Sequence, residues 1–168
     1  VIHLLRAFVD VHAVVPAARL VVFGDGPLYP ALRAETDRLG LGTVVVFAGW
    51  RADLGEFLPA CDIFCLPSLW ETFGYVLLDA MAAKLPIVAT RVEGIPEVTG
   101  GGQCAILVPP ADEHALAAAL TELLLDGGRR AALGEAGRQR LEREYTLARM
   151  IDRIEDIYEE LAAAPAKE

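Results

Sequence analysis

Five short apolar runs, at residues 20–23, 44–47, 63–66, 87–89 and 105–108, are rich in branched side chains and bounded by glycine, proline or aspartate. Runs this short and this uniformly apolar suit strands covered on both faces, as parallel strands are when helices flank them. Helical patterns lie between them, from the opening residues to about Val14, then at 29–39, 54–60, 74–84 and 113–125. This alternation predicts an α/β fold, a doubly wound Rossmann-like parallel sheet with ligands at the carboxyl ends of its strands. Two further helical patterns, 129–144 and 147–161, close the chain. The last carries Leu147, Met150, Ile151, Ile154, Ile157, Tyr158 and Leu161 on one stripe, which suits packing either against this domain or on another one. One domain over 1–161 and a frayed tail over 162–168 are the expected organisation.

With 54% hydrophobic residues, a chain of 168 residues can build a full core. Its formal charge of −9 argues against a nucleic-acid partner. The one locally basic stretch, Arg129, Arg130, Arg138, Arg140 and Arg143, is diluted by Glu135, Glu142 and Glu144. No run approaches the ~18 uncharged apolar residues of a membrane span. Cys61, Cys65 and Cys104 contain no Cys-x-x-Cys pair and read as reduced core residues, which points to the cytoplasm. His3, His12 and His114 lack any mutual metal-ligand spacing, so no metal site is expected.

The chemistry concentrates where the third apolar run gives way to a helix. Glu71 and Gly74 stand at that junction, and a second carboxylate, Asp79, follows eight residues after the first. A helix starting near Gly74 would aim the unpaired N–H groups of Tyr75 and Val76 at whatever lies in front, an arrangement that favours a phosphate. At ~1.5 Å per residue, Asp79 would lie ~7–8 Å along the axis, about two turns in, so that the two acids flank the phosphate position. The same residues also fit a buried strand followed by an amphipathic helix with solvated acids.

Around this motif other pieces stand in a definite order: Val22-Phe23-Gly24-Asp25-Gly26-Pro27, Phe47-Ala48-Gly49-Trp50, the stretch 60–68, Pro86-Ile87-Val88-Ala89-Thr90, Gly94-Ile95-Pro96-Glu97 and Leu107-Val108-Pro109-Pro110. Together they resemble the C-terminal donor-binding domain of the retaining family-4 (group 1) glycosyltransferases of the GT-B fold, over nearly the whole chain. The resemblance implies a nucleoside-diphosphate sugar, UDP- or GDP-linked, as ligand and no metal or other cofactor. It implies that Glu71 holds hydroxyls of the transferred sugar without acting as a nucleophile, and that Thr72, Phe73 and Gly74 approach that sugar with their backbone. Phe73 fits a core aromatic equally well, and Gly74 either permits close approach or serves turn geometry. Tyr75 and Val76 would offer N–H groups to the diphosphate, and Asp79, standing where the family has Glu, would accept from the ribose hydroxyls. Gly49, Trp50 and Arg51 would cover the nucleobase edge. Arg51 suits a contact to base or phosphate, or a solvated arginine beside a half-buried Trp50. Gly24 belongs to a tight strand-to-helix turn near the pocket.

Two positions depart from the family pattern. Lys84 replaces the glycine that ends the motif helix and must turn left-handed or end the helix otherwise, and Glu93 replaces the first of two glycines. The resemblance further implies an inner strand and a loop with an Arg and a Lys ahead of the first helix, and an N-terminal domain that binds the acceptor. None of these is in the sequence, so the chain is expected to be an excerpt or to receive that strand from a partner, with unpaired backbone edges in its sheet. Alone it would bind nucleotide and transfer nothing, and membrane contact is expected only through the other half. The rival expectations are a noncatalytic nucleotide-sugar-binding or docking module and other GT-B enzymes, sucrose- or starch-synthase-like or sugar-nucleotide epimerases.

Overall fold

The structure, a computed structural model, describes residues 1–163; residues 164–168 of the expected tail lie outside them. Helix α1 (Ile2–Val14) leads to β1 (Leu20–Phe23), α2 (Tyr29–Arg38), β2 (Val45–Gly49), α3 (Leu54–Phe57) and β3 (Phe64–Leu66). Then follow α4 (Val76–Ala82), β4 (Ile87–Thr90), α5 (Ile95–Val98), β5 (Ala105–Val108), α6 (Glu113–Leu125), α7 (Gly127–Glu144) and α8 (Leu147–Ala163). Ala162 and Ala163 continue the helical backbone instead of beginning a frayed tail.

Every ladder is parallel, with Leu20 opposite Val45, Phe64 opposite Ile87 and Ile87 opposite Ala105. The expected sheet falls into two hydrogen-bonded pieces, β1-β2 and β3-β4-β5. Among the described residues β1 and β3 each keep one edge without a ladder partner, as expected of a sheet lacking an inner strand.

Strand β4 is buried at all four positions and divides the core. Because side chains alternate across a strand, Val88 joins one apolar cluster while Ile87 and Ala89 join the other. On the first side, Leu4, Leu5, Phe8 and Val11 form one face of α1 and meet Leu116, Leu120 and Leu123 of α6. On the second, Leu77 and Met81 of α4 pack with Ile95 and Val98 of α5. Each such side chain contributes ~1.5–3 kcal/mol by leaving water. Asp112 and Asp126 begin α6 and α7 by accepting from the N–H groups of Ala115 (2.9 Å) and Arg129 (2.8 Å).

The arginines of α7 cap three other helices. Arg130 donates to the carbonyls of Leu123 and Leu124 at the end of α6, at 2.6 and 2.9 Å. Arg138 donates to Ala82 O at the end of α4 (3.1 Å), and Arg140 to Val98 O and Glu97 O at the end of α5 (2.8 Å each). Terminal carbonyls lack intrahelical partners and carry the negative end of the helix dipole, so a guanidinium suits them. Lys84 follows α4 in the left-handed conformation, φ 57°, and pairs with Glu135 of α7 at 2.9 Å. That is the first of the two endings expected for this helix. Packing of the α8 stripe against this domain is not met, for Leu147 through Leu161 of that stripe stand 44–70% exposed.

Candidate functional site

The expected site residues follow the carboxyl ends of the strands. After β1, the Gly24 N–H donates to Gly49 O at 2.8 Å and joins the first two loops. Both glycines have positive φ, 114° and 69°, with no atom near where a side chain would begin, so conformation alone calls for glycine. The chain then turns Trp50 outward, clear of both core clusters, to 73% exposure in place of the half-buried position expected. Arg51 is engaged. Its Nε and Nη2 donate to the two Asp53 oxygens at 2.8 and 2.7 Å, and its guanidinium carbon lies 4.6 Å from the Phe57 ring centroid. The hydrogen bond from Arg51 holds the Asp53 carboxyl below its ordinary pKa.

Gly74 is buried at φ +79°, and a Cβ there would meet Leu77 Cδ1 at 3.1 Å, with Glu71 Cγ and Leu66 Cδ2 at 3.4 Å each. The positive φ alone accounts for glycine, and the neighbouring side chains leave little room besides. The same φ cannot belong to a right-handed helix, so α4 begins at Val76, two residues past Gly74. Asp79 consequently sits in the first turn of α4 rather than two turns in, ~4.5 Å along the axis from Val76.

Leu77 and Leu78 spend their N–H groups on Gly74 O (2.8 Å) and Tyr75 O (2.9 Å). Among the described residues, the N–H groups of Tyr75 and Val76 have no protein acceptor. With α4 only seven residues long, its macrodipole is small, and these two free donors are what the turn offers an anion. Neither the Glu71 nor the Asp79 carboxylate has a hydrogen-bonding or ionic partner among the described residues, whereas Glu35, Asp53 and Glu135 each hold an arginine or lysine. Glu71 is half-buried; Asp79, Thr72 and Tyr75 are exposed. Phe73 is half-buried against the second apolar cluster, with its ring on Tyr75 (4.8 Å between centroids) and edge-on to Tyr145 (5.9 Å). The site is thus an open face, not an enclosed cavity. A shallow depression among His3, Pro67, Thr90 and Val108 has no room for a water molecule.

Cys61, Cys65 and Cys104 are free thiols. Cys65 is half-buried as a residue, yet burial of its thiol pushes the pKa up to about 12. Among the described residues no His, Cys, Asp and Glu side chains cluster as a metal site, and no helix is long and apolar enough to cross a membrane.

Parallel strands under helices, with glycine turns and free donors at their carboxyl ends, define a GT-B-type α/β lobe. HepE of Anabaena, solved with UDP and glucose, has this fold: TM-score 0.83 at 24% identity, over 96% of this chain and 44% of that one. The family model for glycosyl transferases group 1 matches residues 1–126, and the chain belongs to that family. Among curated relatives, N-acetyl-alpha-D-glucosaminyl L-malate synthase of Bacillus anthracis is 33% identical over 141 residues, covering 84% of this chain and 37% of that protein. A GDP-mannose-dependent alpha-(1-6)-phosphatidylinositol monomannoside mannosyltransferase of Mycolicibacterium smegmatis is 35% identical over 146 residues, 80% of this chain and 38% of the relative. The chain therefore spans less than half the length of these relatives.

Proposed function

We propose that this chain is the donor-binding half of a retaining glycosyltransferase, moving a sugar from a UDP- or GDP-linked donor to an acceptor held elsewhere. One observation carries this: two backbone donors, at Tyr75 and Val76, stand in the chain between Glu71 and Asp79, and among the described residues neither the donors nor the two carboxylates have a protein partner. A nucleoside-diphosphate sugar has a diphosphate between two polyhydroxyl rings, and anion donors flanked by carboxylate acceptors match that order of groups. The relatives whose names specify nucleotide-sugar chemistry support the same class.

Glycosyl transfer leaves charge on the departing diphosphate. Donors fixed beforehand stabilise it without reorganising during the reaction. Tyr75 and Val76 supply this chain's share, because Arg51 is already committed to Asp53. Glu71 orients the transferred sugar through its hydroxyls, Asp79 holds the ribose, and Gly49, Trp50, Arg51 and Gly24 border the base and the pocket edge. The exposed stripe of α8 is the surface we assign to the acceptor-binding half. No metal enters this scheme. Three free thiols fit a reducing compartment, and the cytoplasm is the proposed location.

A thermal-shift titration with millimolar UDP and GDP tests the assignment, since a ligand that binds only the folded chain raises its melting temperature. A melting temperature that neither nucleotide moves removes both the transferase and the noncatalytic sensor from consideration.

A further inference from the structure

Gly94 stands just before α5, at φ −73° and ψ −14°, a conformation open to any residue. Yet a Cβ built there would fall 2.0 Å from Thr72 O, 2.9 Å from Thr72 C and 3.2 Å from Phe73 Cα. The backbone of the β4–α5 loop therefore lies directly on that of the Glu71–Gly74 turn, with no room for one carbon. Gly94 is held in turn: its carbonyl accepts from Val98 N–H at 3.0 Å, and Arg140 of α7 caps the far end of the same short helix. On the other side of the turn, Phe73 is fixed between Tyr75 and Tyr145.

We infer that Gly94 is a positioning residue for the donor site: by lacking a side chain it lets α5 buttress the Thr72–Phe73 backbone and so fixes where the free N–H groups of Tyr75 and Val76 point. This rests on the donor assignment above. Two donors and two carboxylates must meet one ligand together, and a misplacement on the order of 1 Å in such an array costs on the order of a hundredfold.

Gly134 supplies a matched control. A Cβ there would meet Lys84 O at the same 2.0 Å, but on the far side of α4, against α7. Gly94→Ala and Gly134→Ala thus impose the same steric insult in two places. By calorimetry with UDP and GDP, the inference expects Gly94→Ala to weaken binding by about tenfold or more and Gly134→Ala by less than about twofold, at comparable losses of melting temperature. Amide hydrogen exchange without ligand should speed up at Thr72–Val76 in Gly94→Ala alone. Equal binding and equal exchange in the two variants overturn the inference. If the wild-type chain binds neither nucleotide while the exchange contrast holds, the donor assignment falls and the buttress stands. Should Gly94→Ala not fold, nucleotide titration of the wild-type chain still decides: the Gly94 amide resonance must move together with those of Tyr75 and Val76, and a stationary one overturns the inference.

Discussion

Replacing Arg140 by alanine should unfasten α5. Its guanidinium makes two charge-assisted hydrogen bonds of 2.8 Å, to the carbonyls of Val98 and Glu97. Val98 is fully buried, so its carbonyl loses most of the ~1.5–3 kcal/mol associated with such a bond, whereas water can replace the donor at the exposed Glu97 end. The sum is ~2–3 kcal/mol. For a domain of this size each kcal/mol moves the midpoint by ~2–4 °C, so Arg140→Ala should melt roughly 5–10 °C below the wild type. Arg140→Lys should recover only about half, because a single ammonium does not reproduce a planar fork addressed to two carbonyls. Thermal unfolding followed by circular dichroism gives the numbers. If both variants melt within about 2 °C of the wild type, capping by α7 is not what holds α5 in place.

Other outcomes are equally open to measurement. Asp79→Asn should weaken nucleotide binding roughly tenfold by removing a charged acceptor, and calorimetry showing equal affinity would refute its proposed role. Gly74→Ala should cost at least ~1–2 kcal/mol in urea unfolding, since φ +79° and the 3.1 Å approach of Leu77 both oppose a side chain; an unchanged midpoint contradicts this. Hydrogen bonds from Arg38 and Arg6 lower the Glu35 pKa from its ordinary 4.5 to about 2. Folded Glu35 therefore binds its proton less readily than unfolded Glu35, so its contribution is present above pH 4.5 and lost as the pH falls toward 2. Melting temperature should drop through that window, less steeply in Glu35→Gln, and identical slopes count against the pairing. Cys65, with its thiol pushed up to about 12, should resist alkylation at neutral pH until the chain unfolds, as timed labelling will show.

The strands were legible because each is an uninterrupted branched-apolar run, and α1 and α6 because an apolar face recurs along each of them. Lys84 turned left-handed, the first of the two endings open to it, and Glu93, φ 38°, took the same region at the other position where the family has glycine. Helix α5 escaped notice since four residues cannot display a period of 3.6. The start of α4 was misplaced because a sequence gives the glycine but not the sign of its φ. Free donors at Tyr75 and Val76 were foreseeable from any helix start, whereas the contact of Gly94 with Thr72 joins residues 22 apart and leaves no local mark. The arginines of α7 looked like diluted surface charge; only the packed fold shows which carbonyls they reach.

The family model matches as far as residue 126, one residue ahead of the helix whose three arginines secure α4, α5 and α6, while the fold shared with HepE runs on through that helix. Trimmed at residue 126, the chain would keep every residue that faces the proposed ligand and lose the scaffolding that holds them still.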